Sequence, residues 1–328
     1  MVEGICRQRC EPLWNRGSPM TPFFLAFPGI EPLSHRIADL MDGEAQTVGL
    51  HQFPDGETLV TLPQGIDGRA VSVVANLRDP DQVALPLRFT AETARDLGAS
   101  SVGLVAPYLS YMRQDRRFAP GQAISAPIFA RFLEQSFDWL VTVDPHLHRI
   151  SALEEVFRFS ALRVASAPLI ADWIVTNVPD AVILGPDSES QQWVADVAAL
   201  ADKPYEVLTK VRSGDRTVEI SVPQSTALTQ GTPVVLDDIA SSGRTMTQAI
   251  DLLRAAGTKP PVCIIIHAVF ADNAYHDILA AGAERVITTD TIPHSSNAIG
   301  LAPLLAPAVQ SAAQDTSRIP ETPMEAQR

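Results

Sequence analysis

The sequence has little cysteine and no long apolar run. Three cysteines among 328 residues are too few, and odd in number, for the disulfide framework of a small secreted domain. No apolar stretch approaches the roughly 20 residues that a membrane-spanning helix needs. The run at 23–27 is also too short for the apolar core of a signal peptide. We therefore expect a cytoplasmic protein that does not enter a membrane.

Basic residues are scarce relative to acidic residues. The chain has 25 Lys and Arg against 38 Asp and Glu, which gives a net charge of −13 at pH 7. A nucleic-acid partner would require a basic face, so we expect none. Phosphorylated small molecules remain allowed as substrates, because a local basic pocket can form in an acidic protein.

Short apolar stretches alternate with amphipathic stretches along most of the chain. Strands are predicted over 23–27, 71–75, 102–106, 139–143, 181–184, 234–236, 262–268 and 285–288. Helices are predicted over 82–97, 124–135, 167–177, 190–201, 245–256 and 273–281. Nearly continuous apolar strands between helices are typical of parallel sheets that are covered on both faces. The sequence therefore predicts an α/β protein with doubly wound, mostly parallel sheets.

Length and pattern together predict two such domains in tandem. At about 150 residues per domain, the chain has room for two. The strand and helix pattern occurs over 21–160 and again over 161–311. The flanking segments 1–20 and 312–328 are irregular or polar, so both are predicted to be disordered tails. Our hypothesis is that translation starts at either Met1 or Met20, because the ordered pattern begins directly after Met20.

Residues that could bind a sugar phosphate follow the strand predicted at 234–236. In an open parallel sheet, ligands bind beyond the carboxyl ends of the strands. Two carboxylates there can accept hydrogen bonds from vicinal sugar hydroxyls, and the next turn offers amides and a helix dipole to an anion. The residues are Asp237, Asp238, Ser241, Ser242, Gly243, Arg244 and Thr245. We interpret them as a ribose 5-phosphate site, although the same residue types also cap helices and form turns.

The segment 237–245 resembles the loop that binds 5-phosphoribosyl 1-diphosphate (PRPP) in phosphoribosyltransferases and PRPP synthetases. The usual loop has two acids, two apolar residues and then Asp-Thr-x-x-Thr. Here Ser241 and Ser242 stand where Asp-Thr is usual, so one carboxylate is missing. This loop alone does not separate an enzyme that makes PRPP from one that uses it.

The N-terminal half resembles the PRPP synthetases, which are also called ribose-phosphate pyrophosphokinases. The segment 53–57 is similar to their Phe-x-Asp-Gly-Glu. The resemblance implies that Phe53, Asp55 and Glu57 reach toward the adenine of ATP across a subunit interface. It therefore also implies a homo-oligomer.

A second N-terminal segment, 107–117, is similar to the Pro-Tyr-x-x-Tyr-x-Arg-Gln-Asp-Arg of these synthetases. The resemblance implies that Arg113, Gln114 and Asp115 hold ATP. Arginine suits this role, because its guanidinium group makes bidentate contacts with phosphate oxygens. Without the resemblance, the segment could equally be a solvated basic loop.

Four further residues match metal-binding and catalytic positions of the same family. His146 follows a strand in an Asp-x-His pattern and Asp187 follows one in a Pro-Asp pattern, which implies that both hold Mg²⁺. Lys210 and Arg212 match a Lys-x-Arg pattern that opens a flexible catalytic loop, here 213–219. The resemblance implies that both cations stabilise the transferring group, whereas the pair by itself could be an exposed basic turn.

The resemblance covers roughly residues 23–310. It implies two phosphoribosyltransferase-like domains, with ATP on the side of 21–160 and ribose 5-phosphate on the side of 161–311. It further implies transfer of the β,γ-diphosphoryl group of ATP to the anomeric hydroxyl of ribose 5-phosphate, giving PRPP and AMP. Two alternatives stay open: a PRPP-using transferase, and a regulatory homologue without activity. The second is motivated by Ser241 and by Ser188-Glu189-Ser190, which replace the usual Gly-Gly after Asp187.

Overall fold

The computed structural model describes residues 21–147, 149–187, 190–213, 217–221 and 226–315, with the backbone alone at 209–213 and 217–221. The predicted tails at 1–20 and from 316 onward lie outside these ranges. Among the described residues, none of the helices combines the length and the apolar character needed to cross a membrane.

The first half of the chain forms a six-stranded sheet and a separate hairpin. Its elements are β1 (Phe23–Ala26), α1 (Glu31–Leu40), β2 (Glu44–Thr47), β3 (Gly49–Gln52), β4 (Thr58–Thr61), β5 (Ala70–Val74), α2 (Pro80–Asp96), β6 (Ser101–Ala106), α3 (Ser125–Glu134), β7 (Trp139–Val143), a 3₁₀ turn (Leu153–Glu155) and β8 (Ser160–Val164). The strand order is β2-β1-β5-β6-β7-β8, and all neighbours in it are parallel. Strands β3 and β4 pair antiparallel outside this sheet.

The second half repeats this architecture. Its elements are α4 (Ala167–Asn177), β9 (Ala181–Gly185), α5 (Gln191–Ala201), β10 (Tyr205–Val207), β11 (Thr209–Ser213), β12 (Thr217–Ser221), α6 (Thr226–Gln230), β13 (Thr232–Ile239), α7 (Arg244–Ala255), β14 (Val262–His267), α8 (Ala274–Ala281), β15 (Arg285–Thr289), β16 (Asn297–Ile299) and α9 (Ala302–Asp315). The strand order is β10-β9-β13-β14-β15-β16, again parallel throughout. Strands β11 and β12 form an antiparallel hairpin.

The predicted fold class is confirmed, because both sheets are parallel and buried. Every residue of β1, β7, β9 and β14 is buried. Strands that are buried on both faces have no polar side to present, which explains their nearly continuous apolar sequences. The helices between them supply the cover.

Several of the elements that the sequence pattern missed lie at sheet edges. Strand β2 is a half-exposed edge strand and carries polar residues, so apolar periodicity does not reveal it. Strand β8 pairs with β7 as the far edge of the first sheet. Residues 161–164 therefore belong to the first sheet, although we predicted the second domain to begin at 161.

Helix α9 returns from the second half to the first sheet. It packs against α1, β7 and β8. Leu305, Val309 and Ala312 are buried at helical spacing and form the contacting face. The helix continues to Asp315, so the prediction of a tail from 312 is wrong for residues 312–315.

One close contact inside the first sheet gives a test of its packing. Gly103 in β6 lies against the buried ring of Trp139 in β7, and a Cβ atom added at Gly103 would stand 1.9 Å from the ring. We expect Gly103→Ala to lower the free energy of unfolding by about 2–3 kcal/mol, because the indole must move within a packed core. Urea denaturation measures the loss.

Gly300→Ala is the matched control for this substitution. Gly300 is exposed, and its added Cβ would meet only Asp290, at an ordinary 3.6 Å. We expect a change within about 0.5 kcal/mol. Equal losses at both positions would show that the Trp139 contact is not what constrains β6.

Candidate active site between the two sheets

Two adjacent carboxylates lie at the carboxyl end of β13, an inner strand of the second sheet. Strand β13 continues three residues past its predicted end at 236, so Asp237 and Asp238 belong to the strand instead of following it. Strands β9 and β13 are adjacent and parallel, which places Asp187, just after β9, at the same sheet edge. Burial and the negative charges of Asp238 and Asp187 together raise the pKa of Asp237 well above its ordinary value. Burial and the neighbouring carboxylates thus both oppose ionisation of Asp237.

The first sheet contributes a histidine to this edge. His146 Nδ1 lies 2.5 Å from Asp238 Oδ2, across 92 residues of sequence. Burial pushes the pKa of Asp238 upward, but the hydrogen bond and the charge of His146 outweigh it, so this pKa is lowered. The structure thus brings a predicted metal ligand and a predicted sugar ligand into direct contact.

The turn that carries His146 is held in place by the preceding aspartate. Asp144 adopts φ 31°, an unusual value for a residue other than glycine, so its surroundings must fix it. Its carboxylate accepts hydrogen bonds from Ser166 N and Oγ, at 2.8 and 2.6 Å, and from Arg163 Nη2 at 3.0 Å. Its carbonyl oxygen lies 3.2 Å from Nε2 of the fully buried His267. Burial lowers the pKa of His267, which favours a neutral ring that donates to this carbonyl.

The loop 240–243 and the start of α7 follow the carboxylates. Gly243 has φ 72° and immediately precedes the helix, whose first hydrogen bond runs from Thr247 N to Gly243 O. The amides of Arg244, Thr245 and Met246 come before that bond, so the helix itself supplies them no acceptor. Among the described residues, no side chain caps this end of α7. A helix N-terminus of this geometry can bind an anion.

A cavity of about 210 Å³ adjoins His146 on the side of the first sheet. Two of the predicted ATP ligands, Arg113 and Gln114, line it. The positive charge of Arg113 also reaches both carboxylates of β13, where it favours the ionised forms. Gln114 Oε1 accepts a hydrogen bond of 2.6 Å from Ser125 Oγ, which fixes that side chain at the cavity wall.

Asp115, the third predicted ATP ligand in this segment, is placed differently. Its side chain is only 1% exposed, and its Oδ1 accepts a hydrogen bond of 2.9 Å from Arg149 Nη1. Within the described residues, Asp115 is absent from the lining of the cavity. Asp115 is enclosed and bonded to Arg149, so this geometry supports a structural role within the segment 107–117. It does not support direct contact with a nucleotide.

Phe53, Asp55 and Glu57 lie at the tip of the β3–β4 hairpin. The turn is closed by Phe53 N bonding to Glu57 O at 2.8 Å and by Glu57 N bonding to Asp55 Oδ1 at 3.2 Å. Phe53 is 41% exposed, and none of these three is among the described residues that line the cavity. The hairpin thus presents its tip to solvent.

Lys210 and Arg212 lie in strand β11, opposite Ile220 and Val218 of β12. Their side chains are outside the described part of the structure, as are Ser188 and Glu189. Strand β11 includes Ser213 and strand β12 begins at Thr217. The predicted catalytic loop over 213–219 is therefore wrong for 213 and 217–219, which are paired strand residues.

Sequence reasoning missed two side chains that bear on the site, Arg78 and His267. Arg78 follows the buried strand β5 and lines the 210 Å³ cavity. His267 ends β14. Both stand at carboxyl ends of strands, so the rule that drew attention to Asp237 could also have indicated them. No local motif accompanies either residue.

This two-sheet arrangement has relatives among known proteins. Residues 24–136 match the family model described as the N-terminal domain of ribose phosphate pyrophosphokinase, and residues 160–302 match the phosphoribosyl transferase domain. The ribose-phosphate pyrophosphokinase of Methanopyrus kandleri is 34% identical over 281 residues, which cover 85% of this chain and 95% of the relative. The chain belongs to the ribose-phosphate pyrophosphokinase family. The enzyme of that name from Methanothermobacter thermautotrophicus is also 34% identical, over 84% of this chain and 95% of its own.

A solved structure of similar fold comes from Mycobacterium smegmatis. Its phosphoribosylpyrophosphate synthetase superposes with a TM-score of 0.78 at 23% sequence identity, covering 90% of this chain and 99% of that one. At this identity the likeness concerns the fold. The two-sheet architecture of this ribose-phosphate pyrophosphokinase family member is thus shared across nearly its whole described length.

The start of α7 gives a test of how tightly the loop is built. Gly243 and Gly257 have nearly the same φ, 72° and 74°, but an added Cβ at Gly243 would meet Ala274 O and the Ile278 side chain at 3.3 Å. At Gly257 it would meet nothing within 4 Å. We expect Gly257→Ala to cost about 1 kcal/mol of unfolding free energy for its φ. Gly243→Ala should cost about 1 kcal/mol more for the contact as well.

Urea denaturation of the two variants measures this difference. Because the φ penalty is common to both, the difference between them reports the packing of the 240–243 loop against α8. Equal losses would contradict a tightly packed loop.

Proposed function

We propose that this chain is a ribose-phosphate diphosphokinase, which transfers the β,γ-diphosphoryl group of ATP to the anomeric hydroxyl of ribose 5-phosphate. The products are PRPP and AMP. The observation that carries the proposal is the 2.5 Å contact between His146 and Asp238, because it joins the nucleotide side and the ribose side at one sheet edge. Membership of the ribose-phosphate pyrophosphokinase family supports the same reaction.

Ribose 5-phosphate is proposed to bind on β13 and the loop after it. Asp237 and the Oδ1 atom of Asp238 face the ribose hydroxyls, since Asp238 Oδ2 is already bonded to His146. The phosphate group lies at the N-terminus of α7, where the amides of 244–246 and the hydroxyls of Ser241, Ser242 and Thr245 can donate to it. Arg244 adds a positive charge at the same helix end.

ATP is proposed to bind along the first sheet, against Arg113, Gln114 and His146. The cavity of about 210 Å³ is smaller than the roughly 300–1,000 Å³ typical of small-molecule sites. A second copy of this chain could complete it with the exposed hairpin tip that carries Phe53, Asp55 and Glu57. We therefore propose a homo-oligomer with shared sites.

Mg²⁺ is the proposed cofactor, and the residues present fit it. His146 bonds a carboxylate through Nδ1, which leaves Nε2 as the ring nitrogen that can ligate, and metal-binding histidines are usually oriented in this way. Asp187 adds an oxygen ligand beside two other carboxylates. Among the described residues, no group of three or more His, Cys, Asp or Glu side chains is placed to hold a metal ion without other ligands. Mg²⁺ suits that situation, because it takes most of its ligands from phosphates and water and neutralises their charge.

The reaction is proposed to depend on position and charge. The anomeric oxygen attacks the β-phosphorus and releases its proton to solvent, the bond between the β-phosphorus and the bridging α,β-oxygen breaks, and AMP leaves with that oxygen. Phosphoryl chemistry of this kind needs alignment and charge neutralisation more than covalent catalysis. Lys210 and Arg212 are proposed to stabilise the negative charge that develops on the moving group.

A direct assay tests the proposed reaction. Purified protein is incubated with ATP, Mg²⁺ and ribose 5-phosphate, and the nucleotides and PRPP are followed by chromatography. We expect AMP and PRPP in equal amounts, and neither when EDTA removes the metal ion. Absence of AMP from protein that still binds ribose 5-phosphate would favour the regulatory homologue. Consumption of supplied PRPP in the presence of a nucleobase would favour the transferase.

Lys210→Ala tests the proposed catalytic role. We expect turnover to fall by about 10² to 10³, because a lost transition-state contact is worth about this much, while ribose 5-phosphate affinity changes little. Steady-state kinetics separate the two effects. Lys203→Ala is the control, because Lys203 is a half-buried lysine whose Nζ donates to Pro179 O away from the site. Unchanged turnover in Lys210→Ala would remove Lys210 from the mechanism.

A further inference from the structure

Arg78 makes a two-pronged contact from the first half of the chain to the second. It follows β5, and its guanidinium donates from Nε to Val269 O at 2.7 Å and from Nη2 to Phe270 O at 2.9 Å. Nη1 lies 3.6 Å from Asp79 Oδ2. A rigid planar fork that bonds two successive carbonyl groups specifies their relative position more closely than one hydrogen bond does.

The same two peptide groups bond the proposed phosphate loop on their other side. Phe270 N donates to Ala240 O at 2.8 Å, and Ala271 N donates to Ser241 O at 2.9 Å. Val269 O and Phe270 N belong to one peptide unit, and Phe270 O and Ala271 N belong to the next. Each unit therefore accepts from Arg78 and donates to the loop. Hydrogen bonds in such a chain polarise and strengthen one another.

The segment between them adopts a conformation that needs support. Phe270 has φ 24° and Asp272 has φ 51°, and neither is glycine. Backbone in such sparsely populated regions persists only when neighbouring contacts fix it. Phe270 is also almost fully buried, so its ring anchors the segment while Arg78 anchors the carbonyl groups. The segment can thus hold the 240–243 loop only while its own backbone is held.

Arg78 also lies at the wall of the cavity that Arg113 and His146 line. One side chain therefore connects the proposed nucleotide pocket with the backbone of the proposed phosphate loop. We propose that Arg78 is a positioning residue, which sets the affinity for ribose 5-phosphate by fixing Ala240 and Ser241 through the peptide groups of 269–271. This inference rests on the proposed function, in that it takes ribose 5-phosphate as the ligand of that loop.

Arg78→Gln and Arg78→Lys test the proposal by calorimetric titration with ribose 5-phosphate alone. We expect the dissociation constant to rise about tenfold in Arg78→Gln, an effect of the size of one or two lost hydrogen bonds from a charged donor. Arg78→Lys should recover part of the loss, because an ammonium group keeps the charge but cannot bond both carbonyl groups as a fork. The KM for ATP should change less than the dissociation constant of ribose 5-phosphate, because Nε and Nη2 of Arg78 are already bonded to the carbonyl groups of Val269 and Phe270 at the cavity wall.

Amide hydrogen exchange tests the route by which Arg78 acts. We expect the amides of Phe270 and Ala271 to exchange faster in Arg78→Gln, with no change in β5. Arg254→Gln is the matched control, since Arg254 is an exposed arginine that donates to Ala281 O at 2.8 Å outside the site. The control should leave both ribose 5-phosphate affinity and the exchange at 270–271 unchanged.

Several outcomes would overturn the inference. One is an unchanged ribose 5-phosphate affinity in Arg78→Gln, and another is an equal loss of ATP affinity or an equal effect of Arg254→Gln. Failure of the unsubstituted protein to bind ribose 5-phosphate would overturn both this inference and the proposed function. The unsubstituted protein could bind ribose 5-phosphate but form no AMP, while Arg78→Gln binds ribose 5-phosphate more weakly. That result would contradict the proposed reaction but would still support the role of Arg78.

Discussion

The arrangement at the centre of this molecule depends on a hydrogen bond between His146 and Asp238. Asp238 is almost fully buried, and a buried carboxylate is costly unless a partner bonds it. The partner, His146, follows a strand of the other sheet, so burial of this charge requires the carboxyl ends of the two sets of strands to lie close together. The hydrogen bonds of Asp144 hold the turn that carries His146 in position for this contact with Asp238. This electrostatic requirement acts together with the fork of Arg78 and the return of α9, which also join the two halves.

The fold could be predicted where burial leaves a clear trace in the sequence. Strands such as β7 and β14 are buried along their whole length, and their apolar sequences predicted them nearly to the residue. Edge strand β2 contains Glu44 and Gln46 and is half-exposed, so it has no such trace. Helix α9 was missed because an alanine-rich stretch with Pro307 inside it does not show a strong apolar period.

The candidate site shows the same division. The position of Asp237 and Asp238 at a strand end follows from local sequence, and so does the glycine before α7. The burial of Asp115 against Arg149 does not, because the two are 34 residues apart and either could have faced solvent. The contacts of Arg78 and His267 span 191 and 123 residues of chain. Contacts of that range are properties of the assembled topology, and no local pattern encodes them.

The return of α9 to the first sheet has a consequence for the order of events during synthesis. This helix covers β7 and β8, yet the whole second sheet is translated between β8 and α9. The ribosome releases the first sheet with β7 and β8 still uncovered where α9 packs, and more than a hundred further residues are translated before that helix appears. The two sheets are consequently not sequential folding units, because the first sheet is translated first but receives its last helix, α9, only after the second sheet has been translated.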